Sequence, residues 1–184
     1  MSNSYLTSIK KQFEYYKSLG EKTFEQITDE KLFWQLNEES NSIAIIVKHL
    51  HGNMLSRWTD FLITDGEKEW RKRDKEFDND LQDKKELLQK WNDGWNCLFE
   101  AINPLTENDL EKEIYIRNMG HTVIEAINRQ LAHYAYLIGQ IVFLRKVTQN
   151  DQWKSLSIPK GKSKAYNAEK FAKEKRKEHF TDDL

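Results

Sequence analysis

The chain has 184 residues, which is the size of one ordinary domain. Lysine plus arginine number 29 and aspartate plus glutamate number 30, so the net charge of −1 gives no electrostatic case for a dedicated nucleic-acid binder. Only 7 glycines and 2 prolines are present, too few chain breakers for a turn-rich β architecture, so the composition favours an all-α fold.

The sequence also argues against a membrane protein or a secreted protein. No uninterrupted apolar stretch exceeds that of residues 43–47, far short of the roughly 18 residues that span a bilayer. The N-terminal residues lack the apolar segment that is typical of a signal peptide. Cys97 is the single cysteine, so it can form neither an internal disulfide nor a CxxC site. We therefore expect a cytoplasmic protein.

Apolar residues spaced three or four positions apart predict amphipathic helices in the first half of the chain. The first helix covers residues 5–27. The second begins with Ser42 as its N-cap and ends near Asp65, which precedes a glycine. The charged segment that follows predicts a loop, with Trp70 and Phe77 as its apolar anchors.

The same spacing predicts two more helices in the second half. The third helix is capped by Asn79 or Asp80 and ends before Pro104, because proline interrupts a helix. The fourth runs over residues 121–147. The apolar spacing in the connector between them predicts no single structure, and a short extended segment before Met119 is one alternative. Four such helices predict a four-helix bundle whose site lies on inward-facing positions.

We expect two regions, a bundle at residues 1–159 and a charged C-terminal tail at residues 160–184. The tail holds eight basic and five acidic residues, with few apolar ones between them. Alternating charges favour a solvated, partly frayed segment, and a basic helix for lipid or nucleic acid is the less favoured alternative.

Two histidines lie on helix faces that the apolar spacing predicts to point inward. His49 is in the second helix, and His133 in the fourth helix shares its face with Gln130 and Gln140. Each buried polar group that is left unpaired costs about 1–3 kcal/mol, so we expect something polar to meet this face. Taken alone, either histidine is more often a hydrogen-bonded core residue than a ligand.

Two inward imidazoles on different helices can bind Zn, Ni, Cu or Fe, but an open catalytic site usually has three protein ligands. The other histidines do not supply a third one. His51 lies on the far side of its helix from His49, His121 is about 18 Å along the axis from His133, and His179 is in the tail. The sequence contains no HExxH motif, P-loop or GxGxxG fingerprint.

Three stretches resemble a bacterial branch of the DinB/YfiT-like superfamily. They are residues 41–77, beginning NSIAIIVKHLHGN, residues 121–144, HTVIEAINRQLAHYAYLIGQIVFL, and residues 153–167, WKSLSIPKGKSKAYN. The resemblance implies a DinB-like four-helix bundle with up-down-down-up topology. It also implies a frequent homodimer, and a divalent metal held by three histidines near one end of the bundle.

The family pattern places one ligand before a leucine in the second helix and two more as HxxxH in the fourth. His49, followed by Leu50, matches the first position, and His133 matches the second. Leu137 stands where the pattern has its last ligand. Side chains at i and i+4 of a helix lie about 6 Å apart on one face, so this loss weakens chelation. The resemblance therefore implies a degenerate Zn or Ni site with His49 and His133 as its remaining ligands.

Two hypotheses about function follow from the resemblance. Members with the full triad include thiol-dependent transferases, in which a metal stabilises the nucleophilic thiolate. This chain is then either a weakly metal-dependent enzyme, such as a thiol-dependent S-transferase, or a non-catalytic bundle with a cleft for a small molecule or a protein. We favour the second hypothesis because of Leu137.

Tryptophan content bears on the oligomeric state. Trp58, Trp70, Trp91 and Trp95 exceed what one small helical core readily covers, and exposed aromatic side chains often mark interfaces. The sequence therefore predicts a homodimer. Large aromatic side chains that fill the wide ends of a bundle are the alternative explanation.

Overall fold

A computed structural model describes residues 4–148 and 152–182. The chain is mostly helical, with one small two-stranded sheet, and so is not wholly helical as the composition predicted. The helices are α1 (Ser4–Phe24), α2 (Asp29–Leu32), α3 (Ile43–Trp58), α4 (Lys84–Ile102), α5 (Val123–Thr148) and α6 (Ser163–Phe171). The strands are β1 (Glu113–Ile116) and β2 (Met119–Thr122), and short 3-10 helices cover Arg73–Phe77 and Glu107–Asp109.

The four long helices share one apolar core. Helix α3 packs along α4, α1 packs along α5, and α3 also contacts α5. Phe13 of α1, Trp95 of α4 and Tyr134 of α5 meet at ring-centroid distances of 6.0 to 6.4 Å. None of the helices in the described segments is long and apolar enough to cross a membrane.

The start of α3 is confirmed and its predicted end is wrong. Ser42 caps the helix, and its hydroxyl accepts a hydrogen bond from the backbone N–H of Ile45 at 3.1 Å. The helix ends at Trp58, several residues before Asp65. Asp60 adopts the left-handed conformation, with φ of 49°, so the backbone has left the helix there.

The predicted cap of α4 is also wrong. Asp83 caps this helix by accepting a hydrogen bond from the backbone N–H of Glu86 at 2.8 Å. Asn79 instead accepts a hydrogen bond from the hydroxyl of Ser42, and Asp80 pairs with Lys48 of α3. Both side chains therefore tie the preceding loop to α3.

The connector that the periodicity left open is a β-hairpin. Strands β1 and β2 pair antiparallel, and the turn residues Arg117 and Asn118 have φ of 56° and 59°, as a two-residue type I′ turn requires. Their backbone N–H groups donate to the carboxylate of Asp65, each at 2.8 Å. The hairpin turn is therefore fixed to the segment that follows α3.

Three of the four tryptophans behind the predicted dimer are buried within one chain. Trp58, Trp91 and Trp95 are at most 3% exposed, and they form part of the core. Trp70 is 55% exposed, so it does not anchor its loop as predicted. The tryptophan content is therefore explained by the core and gives no separate argument for a dimer.

The C-terminal segment returns to the first helix. The side chain of His179 contacts the hydroxyl of Ser8 at 3.0 Å, and Phe180 lies edge to face with Tyr15 at 5.7 Å. Together with α6, these contacts give residues 160–182 more structure than a frayed tail.

Candidate functional site

A pocket of about 380 Å³ opens between α3, α5, the 3-10 helix at Arg73–Phe77 and the hairpin turn. Its lining is polar and contains five arginines and both candidate histidines. The lining residues are His49, Asn53, Arg57, Arg71, Arg73, Arg117, Arg129, Gln130 and His133.

The structure brings the two candidate histidines together. Their rings lie edge to face, with centroids 5.5 Å apart and planes at 87°. Burial is the main reason that the pKa of His133 is lowered to about 4, and His49, Arg57 and Arg129 contribute to the same shift. His133 is therefore neutral at pH 7, with one ring nitrogen available as an acceptor or a ligand.

Glu76 fixes the orientation of His49. Its carboxylate lies 2.8 Å from Nδ1 of His49 and accepts two hydrogen bonds from the guanidinium of Arg71, at 2.7 and 2.9 Å. Burial alone would raise the pKa of Glu76, but the hydrogen bonds from His49 and Arg71 outweigh it and lower the pKa. An ionised carboxylate only accepts hydrogen bonds, so Nδ1 of His49 carries a proton.

Gly52 makes room for this carboxylate against α3. A Cβ atom at this position would lie 2.2 Å from Oε1 of Glu76, a separation that no real contact allows. Beside it, Phe77 stacks on the ring of His49 with centroids 5.0 Å apart. Sequence analysis predicted Phe77 as an anchor and missed Glu76, although the two residues are adjacent.

A second carboxylate organises the arginines on the other side of the pocket. Glu67 lies 3.1 Å from Arg57, 3.3 Å from Arg71 and 3.0 Å from Arg117. Arg57 is 7% exposed, and its Nε has no hydrogen-bond partner among the described residues. One carboxylate therefore serves three guanidinium groups.

A buried hydrogen-bonded chain joins α3 and α5 and ends at Asn53, which lines the pocket. Trp58 Nε1 donates to the hydroxyl of Tyr134 at 3.0 Å, and that hydroxyl donates to Oδ1 of Asn53 at 3.0 Å. Burial raises the pKa of Tyr134, so the phenol stays protonated. The chain that holds Asn53 is therefore uncharged.

Three further positions were singled out by the sequence, and only one of them lines the pocket. Leu137 is 5% exposed and belongs to the apolar core. Gln130 is 3% exposed and lines the pocket, and its Oε1 finds no partner in the described ranges. Gln140 is half-buried and is not part of the lining.

The remaining histidines take no part in the lining. His121 contacts Arg129 at 3.2 Å, and His179 contacts Ser8 of α1, a helix that contributes no residue to the lining. Cys97 is half-buried in a different groove, and burial raises the pKa of its thiol. Across residues 4–148 and 152–182, no group of three or more His, Cys, Asp or Glu side chains is placed to hold a metal ion.

Of the comparisons with known proteins, only the comparison with family models finds a match. Neither the curated proteins nor the solved structures contain a match to the chain. Residues 1–162 match the family described as "Protein of unknown function (DUF1572)". This match covers the four long helices, the hairpin and every residue that lines the pocket, so the chain belongs to the DUF1572 family.

Proposed function

We propose that the protein is a DinB-like four-helix bundle with up-down-down-up topology, whose pocket at His49 and His133 binds a small molecule and does not carry a three-histidine metal centre. The packing of α1, α3, α4 and α5 around one core supports the bundle. The order of the stretches that resemble the DinB/YfiT-like superfamily supports the family assignment.

The observation that carries this proposal is the chemistry of the pocket wall. A tightly held Zn or Ni ion needs three or four donors, and the position after His133 on its helix face is the buried, apolar Leu137. Five arginines share the lining with the two imidazoles. Positive charges in the same pocket repel a divalent cation, so the lining fits a metal ion poorly.

The same wall suits a small organic ligand. Its volume lies in the range of natural ligand pockets, and several polar groups converge on it from different elements. Asn53 in this lining already accepts a hydrogen bond from the buried Tyr134, so a ligand meets a side chain that is held in place.

Nuclear magnetic resonance tests the proposal. We would titrate isotope-labelled protein with neutral, cationic and anionic small-molecule probes, and follow the side-chain signals of Gln130 and His133. At least one class of probe is expected to shift these signals and leave those of the groove around Cys97 unchanged. If no class of probe shifts the pocket signals, the proposal is wrong.

The alternative function is a weakly metal-dependent enzyme, such as a thiol-dependent S-transferase. The pairing of Glu76 with Nδ1 of His49 favours it, because carboxylates commonly orient metal-binding imidazoles in this way. His49 and His133 would then hold the ion, which would stabilise the thiolate form of a thiol substrate. Sub-micromolar binding of Zn or Ni by the parent protein would favour this alternative.

A homodimer in the cytoplasm belongs to the same proposal. The outer face of α5 exposes Tyr136, Phe143 and Val147, which follow helical spacing. A second copy of the chain that packs on this face would cover them. The location rests on Cys97, which has no second cysteine to pair with in the sequence.

A further inference from the structure

We propose that the ligand of this pocket carries an oxyanion, a carboxylate or a phosphate, and that Arg73 and Arg129 receive it. This inference rests on the proposed function, because it names the chemical class of the small molecule. It is carried by the charge balance of the wall, by two arginines without an acidic partner, and by two buried polar atoms without a hydrogen bond.

The charge balance of the pocket is strongly positive. Five of its lining residues are arginines and none is acidic. Two carboxylates outside the lining pair with these residues. Glu76 bonds to Arg71 and His49, and Glu67 forms ion pairs with three of the arginines. Two carboxylates against five guanidinium groups leave a positive field that attracts an anion.

Arg73 and Arg129 are the cations whose charge is not matched. The guanidinium of Arg73 lies 5.1 Å over the ring of Phe77, and Arg129 contacts the ring of His121. Neither forms an ion pair with an acidic side chain in the part of the chain that the structure describes. Guanidinium groups present paired N–H donors that match the oxygens of a carboxylate or a phosphate.

Two buried polar atoms of the wall also lack a partner in the described segments. They are Nε of Arg57 and Oε1 of Gln130, in residues that are 7% and 3% exposed. An unpaired Nε–H calls for an acceptor, which an oxyanion supplies. Rotation of the Gln130 amide exchanges its oxygen with its NH2 group, so this side chain can donate to an anion or accept from a neighbouring hydroxyl.

The wall is held in place before a ligand arrives. Asp65 fixes the hairpin turn through the backbone of Arg117, and Glu76 holds Arg71 with two hydrogen bonds. Stacking over Phe77 limits the freedom of Arg73. An anion would therefore meet guanidinium groups that have already lost part of their conformational entropy.

The experiment uses four probes that share one ring and differ in charge: benzoate, phenyl phosphate, benzamide and benzylamine. Each is titrated into the full-length protein in phosphate-free buffer at fixed ionic strength, and the NMR signals of Gln130 and His133 report binding. We expect benzoate or phenyl phosphate to bind at least about tenfold more tightly than the neutral and cationic probes. Comparing the two anions distinguishes a carboxylate ligand from a phosphate ligand.

Two variants and a control locate the anion. Arg73→Gln and Arg129→Gln are each expected to weaken anion binding about tenfold, because each removes a charge-assisted hydrogen bond. Arg176→Gln, in the C-terminal segment beside Glu178, is expected to leave binding unchanged. Equal weakening in all three variants would show a general charge effect and would overturn the inference.

The remaining outcomes separate this inference from the function on which it rests. Benzamide or benzylamine binding in the pocket as tightly as the anions would overturn the oxyanion inference and leave a small-molecule pocket in place. No shift of the pocket signals by any of the four probes would contradict both.

Discussion

His49 and His133 meet edge to face with their ring centroids 5.5 Å apart, one contributed by α3 and the other by α5. Glu76 holds His49, and five arginines line the same pocket as the two histidines. The two imidazoles therefore lie in an environment that favours anions over cations.

Glu76→Gln is expected to destabilise the fold by about 3 kcal/mol. The change keeps the size of the side chain and removes the negative charge that offsets the buried guanidinium of Arg71, whose side chain is 2% exposed. Breaking a buried ion pair from one side leaves an uncompensated charge. Urea unfolding of both proteins at pH 7 measures the difference.

Glu69→Gln is the matched control for this change. Glu69 is exposed and lies in the same charged segment, so its loss is expected to alter the free energy of unfolding by less than about 0.5 kcal/mol. Equal effects of the two substitutions would show that Glu76 does not organise the site.

Two helical glycines are expected to respond oppositely to alanine. Gly52→Ala places a methyl group onto the Glu76 carboxylate and is expected to cost about 1–3 kcal/mol. Gly139→Ala in α5 meets no atom within 4 Å and is expected to stabilise the protein by up to about 1 kcal/mol, because alanine favours the helix. Thermal unfolding of both variants tests this, and a stabilising Gly52→Ala would contradict the described position of Glu76.

The stability of the protein is expected to fall as the pH is lowered from about 6.5 towards 4.5. The folded chain keeps His133 neutral until its pKa of about 4, whereas the unfolded chain takes up a proton near 6.5, the ordinary pKa of histidine. The unfolded state therefore binds more protons in this window. The pKa of Glu76 is lowered from its ordinary value of 4.5, so its protonation costs further stability only below that pH.

Urea unfolding at pH 7 and pH 5 measures this effect, with His133→Phe as the comparison. The variant is expected to lose less stability between the two pH values than the parent. An NMR titration of the His133 ring gives a direct check. A ring that titrates near 6.5 in the folded protein would refute the prediction.

The proposed homodimer has a mass of twice 22.0 kDa. Light scattering at micromolar concentration is expected to report that mass for the parent and the monomer mass for Phe143→Lys. Phe171→Lys, at another exposed phenylalanine, in α6, is the control and is expected to leave the dimer intact. A 22.0 kDa parent species would contradict the dimer.

Helical periodicity was sufficient to predict the four long helices and the inward positions of His49 and His133, whereas a shared site for the two histidines was implied by the family resemblance. Both residues lie on apolar stripes, and stripes on neighbouring helices face one core. The cap at Ser42 followed from its place before the apolar run. The N-cap of α4 could not be predicted in this way, because three nearby residues favour capping and tertiary contacts decide among them. They are Asn79, Asp80 and Asp83.

The β-hairpin and the burial of Glu76 against His49 could not be predicted from the sequence. The turn at Arg117 and Asn118 has no glycine, and its left-handed backbone depends on hydrogen bonds to the distant Asp65. Glu76 lies in a run of charges that reads as solvated surface. Its burial depends on Gly52, which carries no side chain to signal the contact.

Calorimetric titration of the metal-free parent and of Leu137→His with Ni and Zn tests the central claim most directly. That claim is that the pocket at His49 and His133 does not hold a tightly bound metal ion. The account predicts weak or absent binding by the parent and tighter binding by the variant, since the new imidazole stands four residues after His133 and completes three ligands. Sub-micromolar binding by the parent that is lost in His133→Gln would contradict the account and would favour the metal-dependent enzyme.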